Sequence, residues 1–207
     1  TAAQGYMRNL NNHENASLHW SGLIQATAGA VLTVDLVEEG SSGSVSLPTG
    51  ERASLFVEAL DASSGVYSGS ATALDSGDNW NVAGNVSFSS DLILDGTLYS
   101  KPIAHQVEVA AEGDYLLVYN DALTSSVQRA NPKMTARVNG FAVPGAEIKS
   151  HYIRSDGGHN ASSGSLVTLL SLAANDVVSV AVEAEAATGT VDDDAAALFA
   201  LIRRSAI

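Results

Sequence analysis

Residues 172–182 read Leu172-Ala173-Ala174-Asn175-Asp176-Val177-Val178-Ser179-Val180-Ala181-Val182, and this stretch decides the fold class. Val178, Val180 and Val182 alternate with small Ser179 and Ala181, the period of two that puts one face of a strand into a core. Asn175-Asp176 just ahead is turn chemistry, because both side chains bond their own backbone and tolerate positive φ. The same grammar recurs outward along the chain. Leu32 to Val37, Val107 to Val109, Tyr115 to Tyr119 and Met134 to Val138 read as short strands. Asp95-Gly96, Gly113-Asp114 and Asn139-Gly140 punctuate them as turns and hairpins. Ala195 to Ile202 has helical propensity but reads as a terminal strand, because Ala53 to Leu60, its counterpart in an internal repeat, alternates more clearly.

That repeat organises the chain. Gly5-Tyr6-Met7-Arg8, then His13 and Ala16-Ser17, matches His151-Tyr152-Ile153-Arg154, then His159 and Ala161-Ser162. Tyr6 and Tyr152 stand 146 positions apart, and the same offset pairs Leu23-Ile24 with Leu169-Leu170, Val31 with Val177, Val34 with Val180, Glu39 with Glu185, Gly43 with Gly189 and Val45 with Val191. After a three-residue gap Leu55-Phe56 falls on Leu198-Phe199. Alternating Val and Leu alone would not reproduce Tyr-x-Arg, a His and Ala-Ser in the same order. Residues 62–207 therefore form one complete unit, and residues 1–61 repeat only its last strands. Half a sandwich exposes an unpaired edge and an apolar face, so residues 1–61 are expected to be completed within the chain, against strands between about 62 and 110, or between chains.

Composition narrows the function classes. The 207 residues carry 23 acidic and 10 basic side chains, a net charge of -13, which repels phosphate backbones and anionic lipid; no nucleic acid partner and no membrane insertion are expected. With 45% apolar and 16% charged residues, the chain can bury a sizeable core. There is no cysteine, so no disulfide or thiolate metal site supports it. No apolar run is long enough to span a bilayer, and Thr1 to Arg8 has no basic segment followed by an apolar one. A start at Thr1 fits removal of an initiator Met or processing of a precursor equally well.

The strand count, about eight over the full unit, is that of a jelly-roll β-sandwich. From Trp80 to Ile202 the sequence resembles the jelly roll of the C1q and tumour-necrosis-factor-like superfamily. The resemblance lies in Gly113-Asp114-Tyr115 opening a strand, Arg137-Val138-Asn139-Gly140, the stretch Leu172 to Val180, and Leu198-Phe199-Ala200-Leu201-Ile202. Family members usually have Gly before the residue matched to Asp176, and Gly within the last strand where Ala200 stands, so the match is one of fold. It implies a homo-oligomer, a compact trimer around a shared apolar axis, and no chemistry.

Tests for chemistry point the same way. No Gly-x-Ser-x-Gly elbow is present. His13, His19, His105, His151 and His159 have no zinc-ligand spacing. Asp75 and Asp78, within Asp75-Ser76-Gly77-Asp78-Asn79, and Asp192-Asp193-Asp194 are the candidate metal ligands, with calcium as the ion that such oxygens would take. A twelve-residue calcium loop would end on a bidentate acid, where these two would place Val86 and Arg203, so they read as solvated loops. Gly40-Ser41-Ser42-Gly43 lacks the Lys of a phosphate loop and reads as a hairpin connection. Trp20, Tyr67, Trp80, Phe88 and Tyr99 are read as core or interface aromatics, not as a sugar platform. The reading is an all-β, non-enzymatic structural or assembly protein without cofactor: a virion subunit, such as a phage head decoration or fibre protein, whose partners are its own copies and other capsid or fibre proteins. The alternative is a secreted, extracellular C1q-like recognition or adhesion module from a tandem array that meets a surface ligand, compatible with the sequons at Asn15, Asn85 and Asn160.

Overall fold

The structure is a computed structural model and describes residues 18–22, 24, 26–36, 55–59, 65–74, 84–125, 130–149, 153–154, 160–185, 191–193 and 197–205. Among them all regular structure is strand. The eleven strands are β1 (Gly65–Leu74), β2 (Gly84–Leu94), β3 (Tyr99–Ser100), β4 (Val107–Val109), β5 (Gly113–Ser125), β6 (Asn131–Val138), β7 (Phe141–Lys149), β8 (Ala161–Leu172), β9 (Val177–Glu185), β10 (Val191–Asp193) and β11 (Leu198–Ser205). No helix among the described residues is long and apolar enough to cross a membrane.

The strands pair antiparallel into two layers of a jelly-roll sandwich. In one layer β8 pairs with β5, β5 with β11 and β10, β11 with β1, and β1 with β2. In the other, β7 pairs with β6, β6 with β9, and β9 with β4 and β2, while β3 pairs with β4. β2 belongs to both: Gly84 and Asn85 ladder with Val182 and Ala181 of β9, and the strand then crosses to pair with β1. Where it crosses, Ser179 Oγ donates to Asn85 Oδ1 at 3.1 Å, so the sequon residue Asn85 is engaged in the seam between layers.

Alternation fills the space between the layers. Val178, Val180 and Val182 of β9 and Met134 and Ala136 of β6 face Tyr115, Leu117, Tyr119 and Leu123 of β5 and Phe199 and Leu201 of β11, all buried. Phe88 of β2 joins them, its ring 5.6 Å from that of Phe199 and edge-on to that of Tyr119 at 6.5 Å, separations at which aromatic pairs attract. β5 runs well beyond Tyr119, through Asn120 and Asp121. A buried carboxylate in mid-strand is tolerated because the Tyr119 hydroxyl donates to Asp121 Oδ2 at 2.6 Å.

Turn chemistry at Asp95-Gly96, Asn139-Gly140 and Asn175-Asp176 sits where the sequence places it, whereas Gly113 and Asp114, expected to punctuate as a turn, are the first two residues of β5. Asn139 and Gly140 have φ of 52° and 82°, the left-handed pair of a two-residue hairpin, and join β6 to β7. Asn139 also reaches across to the β8–β9 turn, its Nδ2 donating to Asp176 Oδ1 at 2.7 Å and its Oδ1 accepting from the Val177 N–H at 2.9 Å. Asp176 Oδ2 in turn accepts from the Ala173 N–H at 2.9 Å.

Two expected strands are not formed. Leu32 to Leu36, the described part of the Leu32–Val37 reading, and Leu55 to Ala59, within Ala53–Leu60, make no ladder and are exposed. The alternation is present, but a strand also needs a hydrogen-bonding neighbour, and among the described residues neither segment has one. Of the other described N-terminal residues, His19, Ser21 and Gly22 lie against β8, β5 and β11. The Ser21 N–H lies 3.4 Å from Asn120 Oδ1, and His19 bridges the hydroxyls of Ser165, at 3.2 Å, and Ser21, at 3.3 Å. The Arg204 guanidinium pairs with Glu58 Oε1 at 2.8 Å.

Candidate assembly surface

The strands of the β8–β5–β11 layer are apolar on both faces. In β11, Phe199 and Leu201 point into the core, whereas Leu198, Ala200 and Ile202 build a second apolar cluster with Val118 of β5, joined by Leu116 and Ile93. Antiparallel sheets with a solvated outer face carry polar residues there; here the outer face is a second apolar surface. The register extends it to the sheet edge, because Val118 lies opposite Val167 and Leu116 opposite Leu169 in β8. Val167 and Leu169 are 44% and 66% exposed. Scattered exposed apolar residues are ordinary, but a set aligned across neighbouring strands marks an interaction surface.

Local sequence explains the arrangement. Leu198-Phe199-Ala200-Leu201-Ile202 and Leu116-Leu117-Val118 are unbroken apolar runs, so each strand must offer one apolar row to each side. The outer cluster itself is covered within the chain, Val118, Leu198, Ala200 and Ile202 being at most 8% exposed, and the N-terminal residues lie over one end of it: a Cβ at Gly22 would lie 3.2 Å from Leu198 Cδ1. At the β8 end Val167 and Leu169 stay open. β8 pairs only with β5 among the described strands, so its other edge is unladdered there. Ion pairs lie elsewhere on the unit: Lys101 with Asp91 at 2.6 Å, and Lys133 with Glu183 and, at 3.7 Å, Glu147.

The residues singled out as metal ligands are not brought together by anything described. Asp75, Asp78 and Asp194 lie outside the described residues; Asp192 and Asp193 fall in β10, opposite Thr124 and Leu123 of β5. Among the described residues no group of three or more His, Asp or Glu is placed to hold a metal. Trp80, His13, His151 and His159 also lie outside them, whereas Phe88 and Tyr99 are core residues. Tyr99 packs edge-on against Tyr115 at 6.2 Å and its hydroxyl accepts from the Arg203 N–H at 3.1 Å; burial pushes its phenol up to about 12. Sequence reading missed the outer apolar row. Its signal was there in the unbroken runs of β5 and β11, which a strand with one solvated face would not show.

No family model matches the chain, and no curated protein matches it. Among solved structures, the crystal structure of murine APRIL at pH 8.0 is similar to it at 12% identity with a TM-score of 0.45, over 67% of this chain and 98% of that one. The murine APRIL structure at pH 8.5 is similar at 11% identity with a TM-score of 0.44, over the same shares.

Proposed function

We propose that this chain is a non-enzymatic assembly protein that forms a homotrimer through the outer face of its β8–β5–β11 layer and serves as a structural subunit of a virion, in a head decoration or a fibre. One observation carries the assembly reading: the apolar row Leu116, Val118, Val167 and Leu169 reaches a sheet edge that is unladdered among the described residues, with its β8 members open to solvent. Burying such a row removes apolar area from water at roughly 25 cal/mol per Å², the usual driving force of a permanent interface. A closed ring of three copies would satisfy the row in every subunit. The acidic charge of -13 keeps such particles apart in solution and away from nucleic acid.

Light scattering tests the assembly. A particle of three times the 21.3 kDa chain mass is expected, and a monodisperse monomer at micromolar concentration would refute self-association. The virion role has its own test. Mass spectrometry of purified particles from the source should detect this chain at structural stoichiometry, and its absence would remove that role while leaving the assembly intact.

A further inference from the structure

Residues 27–30 make a turn in which the Ala30 N–H donates to the Thr27 carbonyl at 3.0 Å, with Gly29 at a φ of 85°. The turn between β8 and β9 has the same design: the Asp176 N–H donates to the Ala173 carbonyl at 3.2 Å, and Asn175 has a φ of 70°. The two turns lie 146 positions apart, the offset of the sequence repeat, residue on residue. The repeat therefore extends from side chains to backbone conformation.

The flanks match as well. Leu32, Val34 and Leu36 fall on Val178, Val180 and Val182, the three core residues of β9, and Trp20 and Ile24 fall on Leu166 and Leu170 of β8. In β8 and β9 those positions are at most 3% exposed; in the N-terminal copy Leu36 is 54%, Ile24 55% and Val34 78% exposed. Pattern and turn agree, and only burial is reversed.

What differs is the partner. β8 ladders with β5, and β9 with β6, β4 and β2, so every strand that ladders with them comes from the front half of the unit. The described residues hold one such front half, and its own β8 and β9 occupy it. We infer that residues 18–36 are a second β8–turn–β9 element, and that it completes a second sandwich against the front half of another unit of this kind, one with strands equivalent to β1–β7. The contacts that meanwhile tether it, Ser21 to Asn120 at 3.4 Å and His19 to Ser165 at 3.2 Å, are long, whereas the β8–β5 ladder engages all 12 residues of β8. The inference stops at residue 36. Further on, Glu58 stands where the repeat places buried Leu201, and it pairs with Arg204 instead. None of this depends on trimer formation, since Val167 and Leu169 lie outside the element.

The test extends the full chain. Residues 62–146 are placed ahead of Thr1, so that Ala146 runs directly into the repeat in its own register, and amide hydrogen exchange is compared with that of the unextended chain. In the unextended chain residues 31–36 should exchange far faster than β9; protection equal to that of β9 would overturn the inference. In the extended chain exchange over residues 31–36 should slow by about 100-fold or more, the range that separates open segments from laddered strands. Val34→Asp in the extended chain should restore fast exchange there and leave β9 protected. Exchange unchanged by the extension, slowing that survives Val34→Asp, or an extended chain that does not form two folded units would each overturn it.

Discussion

Tyr99 shows how one buried side chain sets a condition on the whole fold. Burial raises its phenol to about 12, and burial also raises that of its neighbour Tyr115. The unfolded chain releases the Tyr99 proton near pH 10, whereas the folded chain holds it until about pH 12. In that window the folded state binds more protons than the unfolded state, so stability is full below pH 10 and falls as pH rises towards 12. Thermal melts between pH 9 and 12 should show a declining Tm, and Tyr99→Phe should flatten the decline; a slope unchanged in that variant would assign it elsewhere. The sequence allowed Tyr99 and Phe88 to be placed in a core, because aromatics beside strand and turn signals rarely stay exposed. Asp121 was not legible. Asn120-Asp121 reads as the end of a strand, and the Tyr119 hydroxyl, two residues away on the same face, helps make the carboxylate acceptable in the middle of one.

At the scale of elements, turns were read well and their tertiary role was not. Asn139 is a hairpin residue by sequence, yet its side chain also ties that hairpin to the β8–β9 turn through Asp176 and Val177. Asn139→Ala loses both hydrogen bonds and puts a Cβ-branched-free but less tolerant residue at positive φ. A loss of about 2–3 kcal/mol in urea unfolding is expected, with the slope of the transition unchanged. A loss under about 0.5 kcal/mol would show that the clamp is incidental. Strands with clean alternation, such as β9, were legible; β8 was not, because Ser162-Ser163-Gly164-Ser165 imitates a loop. A Cβ on Gly164 would come within 2.8 Å of the end of the Met134 side chain, which would have to shift. β7 was hidden by Pro144-Gly145, which an edge strand accommodates because among the described strands β7 ladders with β6 alone. Over residues 32–36 the error ran the other way, as a period of two reports which face would be buried but not whether a neighbour is there to bury it.

For the whole molecule, the β class and the jelly roll followed from the sequence, while the second apolar face emerged only when β8, β5 and β11 were aligned in register. That face carries the prediction for the assembly. Leu169→Asp puts a charge on the open end of the row without touching the core, so light scattering should show the particle mass falling towards that of one chain while the circular dichroism spectrum is kept. An unchanged mass would move the interface to another surface. The order of the strands has a consequence in time. β1 closes the sheet against β11, with Val66 opposite Leu201, so the first strand of the unit waits for the last. During synthesis β1 and β2 can pair with each other, but their other neighbours, β11 and β9, are still unmade, and the sandwich can close only after β11 emerges. Topologies ruled by such distant pairings fold in milliseconds to seconds instead of microseconds, and in that interval the apolar rows of the early strands are open to any neighbouring chain.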